Sequence, residues 1–376
     1  MSSEGMLVRE ITLKGFRSYP SLSLELDPLL TIVHGPNAAG KTNIIEALQL
    51  TTEGVSFRSP QWRDIVAWGS ETAAVSLTAE GDGRLRVVEL SVADGRRSYV
   101  VNGKKVRSAL DVAGEIPCVI FTPNDMRLVK DSADKRRDEI DSLGAQLSKS
   151  YGRLRTEYGR IVTQRNRLLK EEYVDRDTLA AWTDRLVVVG ASLTEHRLRL
   201  LDRMRPHLVA AASVIDPSTT LGIGYLNSIP SVGGSGNGGQ PRAEVEAAYR
   251  CALEERGADE MVRRMTLVGP HRDDIVFEID GRDARTFGSQ GQQRTIALAW
   301  KLAEVKTVRE VSGKSPLLLL DDVMSELDES RRRALTNEVG HVAQTVITTA
   351  NIDYFDSELL GRARVIAIQE ISRGAE

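Results

Sequence analysis

An eight-residue loop organises this chain: Gly35-Pro36-Asn37-Ala38-Ala39-Gly40-Lys41-Thr42. It has the form G-x-x-x-x-G-K-[ST], in which backbone N–H groups surround a phosphate at the start of a helix. An apolar run at 29–33 precedes the loop and a helix-like run at 42–48 follows it, which is the strand–loop–helix context that the motif requires. The pattern predicts that Lys41 reaches the outer phosphates of ATP and that the Thr42 hydroxyl binds Mg²⁺.

Two adjacent carboxylates end an apolar stretch far along the chain. Leu317–Leu320 is followed directly by Asp321 and Asp322. Such a run is typical of a strand buried on both faces, and acids at its carboxyl end stand where open α/β sheets bind ligands. We predict that Asp321 and Thr42 form the metal site, and that Lys41 and Asp322 are catalytic, with Asp322 orienting or deprotonating the attacking water. The alternative for the two carboxylates is capping of the following helix.

The composition limits the partners and the compartment. The chain has 376 residues, 41% of them hydrophobic, and a formal net charge of −3, so a nucleic-acid site must be a local basic patch. The sequence shows no apolar signal segment and no run as long as a membrane span. Cys118 and Cys251 lack a CxxC pattern and are expected to be buried, reduced thiols. We therefore expect a soluble cytoplasmic protein without a membrane partner.

Two kinds of sequence pattern divide the chain into a core and an insertion. Short apolar and alternating stretches before residue 134 predict strands, among them a hairpin that turns at Asn102-Gly103. Between 134 and 264 the segments are long, charged and of helical spacing, with a flexible glycine-rich loop at 233–239. We predict a discontinuous ATPase domain at 1–133 and 265–376, and an inserted, mainly helical lobe at 134–264.

Further motifs place the chain near a known family. Gly288–Arg294 resembles the signature motif of ABC-type ATPases, with Gln290 where transporters usually have Gly, and Ser325–Asp328 resembles their D-loop. Phe16–Tyr19 is similar to the N-terminal strand of SMC and Rad50 proteins. With Gly269–Asp274 added, almost the whole chain resembles the RecF family of bacterial DNA replication and repair proteins. The resemblance implies an α/β fold, with an ABC-type ATPase core of mixed β-sheets around the phosphate loop and an inserted helical lobe.

The resemblance also implies a mechanism and partners. In this superfamily the signature serine of one subunit contacts the γ-phosphate held by another subunit, which gives this role to Ser289 with Gln290, Gly291 and Gln292. ATP would then join two copies head to tail as a clamp on single-stranded or gapped DNA, and hydrolysis would release the DNA. RecO and RecR are the implied partners, and RecA loading and the SOS response are the implied processes.

Two departures from related ATPases refine this expectation. Asp322 stands where ABC transporters and SMC proteins place Glu, and the shorter side chain indicates a weak ATPase that acts as a switch. The strand 345–349 ends without the switch histidine of transporters, so that Thr348 or Thr349 either senses the γ-phosphate or only caps the strand. The role of His271 stays open between a functional and a structural one.

Basic residues crowd two helical stretches of the insertion. Those of the first stretch are Arg153, Arg155, Arg160, Arg165, Arg167 and Lys170. In the second stretch, Arg197, Arg199 and Arg203 are the predicted DNA contacts, and a merely solvated helix face is the alternative. No base-reading motif is visible, so DNA binding is expected to depend on DNA structure and not on sequence.

Two other functions fit parts of the sequence. The ATPase subunit of an ABC transporter would share the ATPase motifs, but Phe16–Tyr19, the long insertion and Gly269–Asp274 argue against it. Association with membranes would favour that alternative. An SMC-like structural tether would need a long heptad coiled coil, for which residues 134–213 are too short.

Overall fold

The computed structural model describes residues 5–58, 61–81, 83–113, 116–229, 240–338 and 343–368. These residues separate into two units. The first unit holds the residues up to Arg127, Val214–Asp216 and the residues from Ala297 onward, and the second holds Leu128–Ser213 and Pro217–Ile296. The glycine-rich stretch 233–239 lies outside the described residues.

Strands and helices are numbered in chain order through the described residues. The strands are β1 (Leu7–Phe16), β2 (Tyr19–Glu25), β3 (Leu30–His34), β4 (Thr72–Gly81), β5 (Arg84–Ala93), β6 (Arg96–Val101), β7 (Lys104–Val106), β8 (Cys118–Phe121), β9 (Leu221–Leu226), β10 (Asp274–Ile279), β11 (Arg282–Asp283), β12 (Leu317–Asp321), β13 (Thr345–Thr349) and β14 (Arg364–Ala367). The helices are α1 (Lys41–Thr52), α2 (Ala133–Leu147), α3 (Lys149–Leu168), α4 (Arg176–Ile215), α5 (Arg242–Glu255), α6 (Gly257–Arg263), α7 (Ala284–Phe287), α8 (Gln290–Ser312), α9 (Glu329–Glu338) and α10 (Ser357–Arg362).

A parallel sheet forms the centre of the first unit. Its described strands run in the order β14-β3-β13-β12-β8. β12 is buried along its whole length, as expected for a continuous apolar run that is covered on both faces. The register pairs Asp321 with Thr348 and Thr349 with His34, so the carboxyl ends of β12, β13 and β3 meet at one edge. The phosphate loop joins β3 to α1 at that same edge.

An antiparallel sheet completes the first unit. Its described strands run in the order β2-β1-β4-β5-β6-β7. Buried and exposed residues alternate along β5, where Val88, Leu90 and Val92 belong to the core and the residues between them do not. The predicted turn at Asn102-Gly103 is confirmed, because both residues have positive φ, 48° and 75°, between the paired strands β6 and β7. The mixed sheets predicted for the ATPase core are therefore present.

Helices dominate the second unit, which also contains a small antiparallel sheet of the described strands β11, β10 and β9. Aromatic side chains of α3 and α5 meet apolar residues of α4 in its core, among them Tyr158, Tyr249 and Leu186. Because β10 pairs with β9 of the insertion, the second unit continues to Ile296. The boundary predicted after residue 264 is therefore too early, and the signature segment lies in the second unit.

No helix in the described parts of the chain is long and apolar enough to cross a membrane. The two cysteines differ in their exposure to solvent. Cys118 is buried in β8, as predicted, but Cys251 is exposed on α5. The prediction of a buried thiol is therefore wrong for Cys251, because its position faces outward from a helix that is buried only on one side.

Candidate nucleotide-binding site

Two glycines of the phosphate loop lie too close to their neighbours to carry a side chain. A Cβ on Gly35 would lie 2.3 Å from the carbonyl oxygen of Ile368. Gly40 has a φ of 94°, and a Cβ there would lie 2.6 Å from Ser18 Oγ and 2.9 Å from the Tyr19 hydroxyl. Any larger residue would displace the loop, since real Cβ atoms do not make such contacts and φ near 90° favours glycine. The conformation of the loop is thus fixed by Ile368 at Gly35 and by Ser18 and Tyr19 at Gly40.

Lys41 is positioned by the loop that contains it. Its Nζ donates hydrogen bonds of 2.8 Å to the carbonyl oxygens of both Gly35 and Pro36, and the residue is 7% exposed. Burial lowers the pKa of the Lys41 ammonium, although the neighbouring carboxylates of Asp322 and Asp321 raise it. The cation therefore lies over the loop, beside the N-terminus of α1, whose first N–H groups have no acceptor within the helix.

The predicted metal ligands Thr42 and Asp321 are brought together although they are far apart in sequence. Thr42 Oγ1 donates to Asp321 Oδ1 at 3.0 Å, and Thr348 Oγ1 donates to the same oxygen at 2.8 Å. Burial raises the pKa of Asp321, the hydroxyls of Thr348 and Thr42 lower it, and Asp322 raises it, with a net upward shift. A divalent cation beside this carboxylate would favour its charged form.

Asp322 has a different environment from Asp321. Its φ is 51°, a strained conformation for a residue with a Cβ, and its N–H is held by the carbonyl and hydroxyl oxygens of Thr348, both at 3.1 Å. Its Oδ1 is buried and has no hydrogen-bond partner among the described residues. A buried carboxylate oxygen without a donor is costly unless another molecule supplies one. Asp322 Oδ1 is therefore suited to accept a hydrogen bond from a water molecule at the phosphate site.

The donor set fits ATP with Mg²⁺. Within the described residues, no group of three or more His, Cys, Asp and Glu side chains could hold a metal by itself. Mg²⁺ typically takes only one or two protein carboxylates and completes its shell with phosphate oxygens and water. Asp321 and Thr42 supply one carboxylate and one hydroxyl at the edge of the phosphate loop, which is the arrangement that such a site needs.

The two threonines at the end of β13 have different partners. Thr348 donates to the Asp321 carboxylate and accepts from the Asp322 N–H, so it holds the Asp321 side chain and the Asp322 backbone in place. Thr349 Oγ1 donates to the carbonyl oxygen of Asn351 at 2.9 Å and accepts from the Asn351 N–H at 3.1 Å. These contacts support the capping role for Thr349 and a positioning role for Thr348.

A buried glutamate beneath the loop was not predicted from sequence. Glu46 of α1 is fully buried and accepts two hydrogen bonds from the Arg17 guanidinium, at 2.9 and 2.7 Å. Arg58 lies 3.7 Å from Glu46 and donates to Asn43 Oδ1 at 2.5 Å. Arg58 is therefore held against the nucleotide site and is not a purely solvated residue. The available signal was an acidic residue within the otherwise apolar run after the loop.

The signature segment caps the 23-residue helix α8. Ser289 Oγ accepts from the Gln292 N–H at 3.2 Å, and Gln292 Oε1 accepts from the Ser289 N–H at 2.9 Å. This reciprocal pair is a capping box, which the sequence S-x-x-Q could have predicted. Ser289 and Gln290 are exposed, while Gly291 and Gln292 are half-buried. The helix N-terminus is thus accessible to an anion.

Gly269–Asp274 is a packing element of the second unit. His271 Nδ1 lies 2.7 Å from the Tyr158 hydroxyl, and Nε2 lies 3.1 Å from the Thr266 carbonyl oxygen. Because a carbonyl only accepts, Nε2 carries the proton and Nδ1 accepts from Tyr158. Burial lowers the pKa of His271 to about 4. These contacts favour the structural role for His271.

The predicted DNA contacts on α4 do not share a face. Arg197 is 3% exposed, forms two 2.8 Å hydrogen bonds with the Asp141 carboxylate, and donates to the Pro270 carbonyl oxygen at 2.5 Å. The prediction that Arg197 contacts DNA is therefore wrong. Arg199 is exposed but paired with Glu195, and Arg203 is exposed. The reason is helical geometry, since residues two apart point about 200° away from each other.

We expect the Arg197→Ala variant to lose about 3–5 kcal/mol of unfolding free energy, because the Asp141 carboxylate would stay buried without its main partner. Arg199→Ala is the matched control on the same helix, and it should change stability by no more than about 0.5 kcal/mol because its ion pair is exposed. Urea unfolding followed by circular dichroism measures both. Equal stability of the two variants would contradict the buried pair.

Residues 7–368 match the family described as RecF/RecN/SMC N terminal domain. The "DNA replication and repair protein RecF" of Heliobacterium modesticaldum is 36% identical over 99% of this chain and 100% of its own length. The chain belongs to the RecF family. The protein of the same name from Gloeobacter violaceus is 36% identical over 97% of both chains.

Solved structures agree with this assignment. The recombination mediator protein RecF with ATPrS, described as part of the RecFOR pathway, is 30% identical to this RecF-family chain, with a TM-score of 0.87 over 94% of this chain and 95% of the other. An Smc head domain from Pyrococcus furiosus, bound to part of ScpA, is 16% identical with a TM-score of 0.56, which shows the fold alone. The predicted family and the α/β, ABC-type ATPase fold are confirmed.

Proposed function

We propose that this RecF-family chain is an ATP-dependent DNA clamp of recombinational repair and of the processing of replication gaps. One observation carries the proposal. Asp321 is fixed by Thr42 and Thr348, and next to it in sequence Asp322 has a buried oxygen for which the described part of the chain supplies no donor. The carboxyl end of β12 thus has one carboxylate with hydrogen-bond donors and one that lacks a donor on Oδ1. This arrangement fits ATP hydrolysis better than a purely structural role for the two aspartates. The structural relatives with ATP and ATPrS lend further support.

Each residue of the site has a separate proposed role. Lys41 binds the outer phosphates, and the N–H groups of residues 35–42 surround them. Thr42 and Asp321 hold Mg²⁺, which neutralises phosphate charge when it is bound. Asp322 orients the attacking water and accepts its proton. Its short side chain and strained backbone support slow turnover, which suits a switch that changes state once per ATP.

The exposed signature segment supports assembly through ATP. Ser289 stands at the accessible N-terminus of α8, where N–H groups and the helix dipole favour an anion. In the proposed complex, Ser289, Gln290, Gly291 and Gln292 of one copy contact the γ-phosphate bound by the other copy. Two nucleotides then hold two chains head to tail on single-stranded or gapped DNA. Hydrolysis removes this contact and releases the DNA.

The partners follow from the relatives. Two structural relatives are described as recombination mediators in the RecFOR pathway. We extend this description to the present chain and propose RecO and RecR as its partners, RecA loading as the outcome, and a contribution to the SOS response. We also propose that the chain acts in the cytoplasm.

We expect Ser289→Arg to abolish the ATP-dependent dimer while ATP affinity stays within about twofold of the parent, because the longer cation fills the space for the partner's phosphate. Ser213→Arg is the matched control, since it adds the same side chain to an exposed serine on α4. Sedimentation velocity with and without ATP and Mg²⁺ measures the dimer. A dimer that forms fully without ATP, or that persists in Ser289→Arg, would exclude the proposed assembly.

A further inference from the structure

The ten basic residues between Arg153 and Lys170 and between Arg197 and Arg205 fall into two groups in the structure. Those with carboxylate partners are Arg155, Arg165, Arg197, Arg199 and Arg205. Those whose side chains have no hydrogen bond or ion pair with any described residue are Arg153, Arg160, Arg167, Lys170 and Arg203. Unpaired, exposed cations retain their full charge for an external partner, so the second group is the relevant one.

Three of the unpaired cations form a straight line on α3. Arg153, Arg160 and Arg167 are exposed and follow each other at intervals of seven residues. Seven residues make nearly two helical turns, so the three Cα atoms lie within about 40° of one another around the axis and about 10 Å apart along it. The opposite face of α3 is buried through Tyr151 and Tyr158. We call these three residues the α3 stripe.

No acidic residue neutralises the α3 stripe from its own helix. Glu157 is the only acidic residue in Lys149–Leu168, and its carboxylate is bound by Arg185. The hydroxyls of Thr156 and Thr163 donate to carbonyl oxygens of the helix itself, so they add no charge to this face. In a chain with a net charge of −3, the α3 stripe thus presents three cations between Arg153 and Arg167, and the one carboxylate of that helix, Glu157, is paired with Arg185.

We propose that the α3 stripe is the surface that binds the DNA backbone. This inference rests on the proposed DNA clamp and replaces Arg197, Arg199 and Arg203 as its contact site. A line of equal charges at a constant interval fits a linear polyanion, and duplex DNA carries one negative charge per about 1.7 Å of its axis. Each guanidinium can therefore meet its own phosphate. Contacts of this kind position the protein without reading sequence.

The test compares two triple variants of the full chain with equal changes in net charge. The stripe variant carries Arg153→Glu, Arg160→Glu and Arg167→Glu. The matched control carries Arg199→Glu, Arg242→Glu and Arg250→Glu, three exposed arginines of the same unit that already have carboxylate partners. Fluorescence anisotropy with a labelled gapped duplex, ATP and Mg²⁺ gives the affinity at several salt concentrations, and nucleotide binding together with circular dichroism verifies that both variants fold.

We expect the stripe variant to lose at least about tenfold in DNA affinity at 0.15 M salt. The negative slope of log affinity against log salt should become shallower by about 2.7. The control should stay within about threefold of the parent. Equal affinities of the two variants would overturn the assignment of the stripe to DNA. The same result is expected if the stripe binds an acidic protein and not DNA. If the parent itself binds no DNA with ATP, the proposed clamp fails, and this result is separate from any difference between the variants.

Discussion

The Asp322→Asn variant is expected to bind ATP at least as tightly as the parent and to hydrolyse it at least about a hundredfold more slowly. The substitution keeps the size of the side chain and its left-handed backbone, which Asn tolerates as well as Asp does. It removes the acceptor for the proton of the attacking water, and it removes one negative charge beside a polyanion. The variant should therefore accumulate as an ATP-bound dimer on DNA.

Two comparisons make this prediction specific. Asp94→Asn changes an exposed aspartate with the same positive φ, 51°, outside the site, and it should hydrolyse ATP at the parental rate. Asp321→Asn should instead weaken Mg²⁺-dependent binding, because it alters the carboxylate that Thr42 and Thr348 hold. Phosphate release and dimer lifetime are measured for all three. Parental turnover in Asp322→Asn, or equal behaviour of the two site variants, would show that the division of roles is wrong.

The Lys41→Ala variant is expected to lose more than about a hundredfold in ATP affinity. Charge-assisted hydrogen bonds contribute about 1.5–3 kcal/mol each, and 1.4 kcal/mol corresponds to a factor of ten. The loop positions this one ammonium group through Gly35 and Pro36, so its loss leaves the outer phosphates without that cation. Binding of a fluorescent ATP analogue gives the affinity.

The matched control for this variant is Lys14→Ala. Lys14 is an exposed lysine on β1 in the same unit, and its removal should leave ATP affinity within about twofold. Circular dichroism shows whether both proteins are folded. If Lys41→Ala retains the parental ATP affinity, the nucleotide does not bind at the phosphate loop.

The nucleotide site was largely predictable from sequence because its parts are local. The phosphate loop is one continuous motif, and a run of four leucines before Asp321 predicts a buried strand that ends at a sheet edge. The parallel register that joins Thr42 to Asp321 follows once β3, β13 and β12 are neighbours. The missed residues depend on tertiary contacts. Glu46 has no sequence signal for its pairing with Arg17 and Arg58.

The second unit was harder to predict for two physical reasons. Its boundary depends on the pairing of β9 with β10, which are separated by a long helical segment and the glycine-rich stretch. Its arginines look alike in the sequence, whereas burial and pairing differ from one helical position to the next. Arg197 faces Asp141 in the interior, whereas Arg160 is exposed and its side chain has no partner among the residues that the structure describes. The spacing of seven along α3 was visible in the sequence, but the absence of paired acids was not.

If ATP controls how tightly this RecF-family chain binds DNA, one titration will show it. Anisotropy of a labelled gapped duplex is recorded against the parent chain with Mg²⁺ alone, and again with Mg²⁺ and ATP, at the same salt concentration. We predict that ATP raises the affinity at least about tenfold, and that Lys41→Ala shows no difference between the two conditions. Equal affinity of the parent with and without ATP would show that ATP does not control DNA binding by this chain.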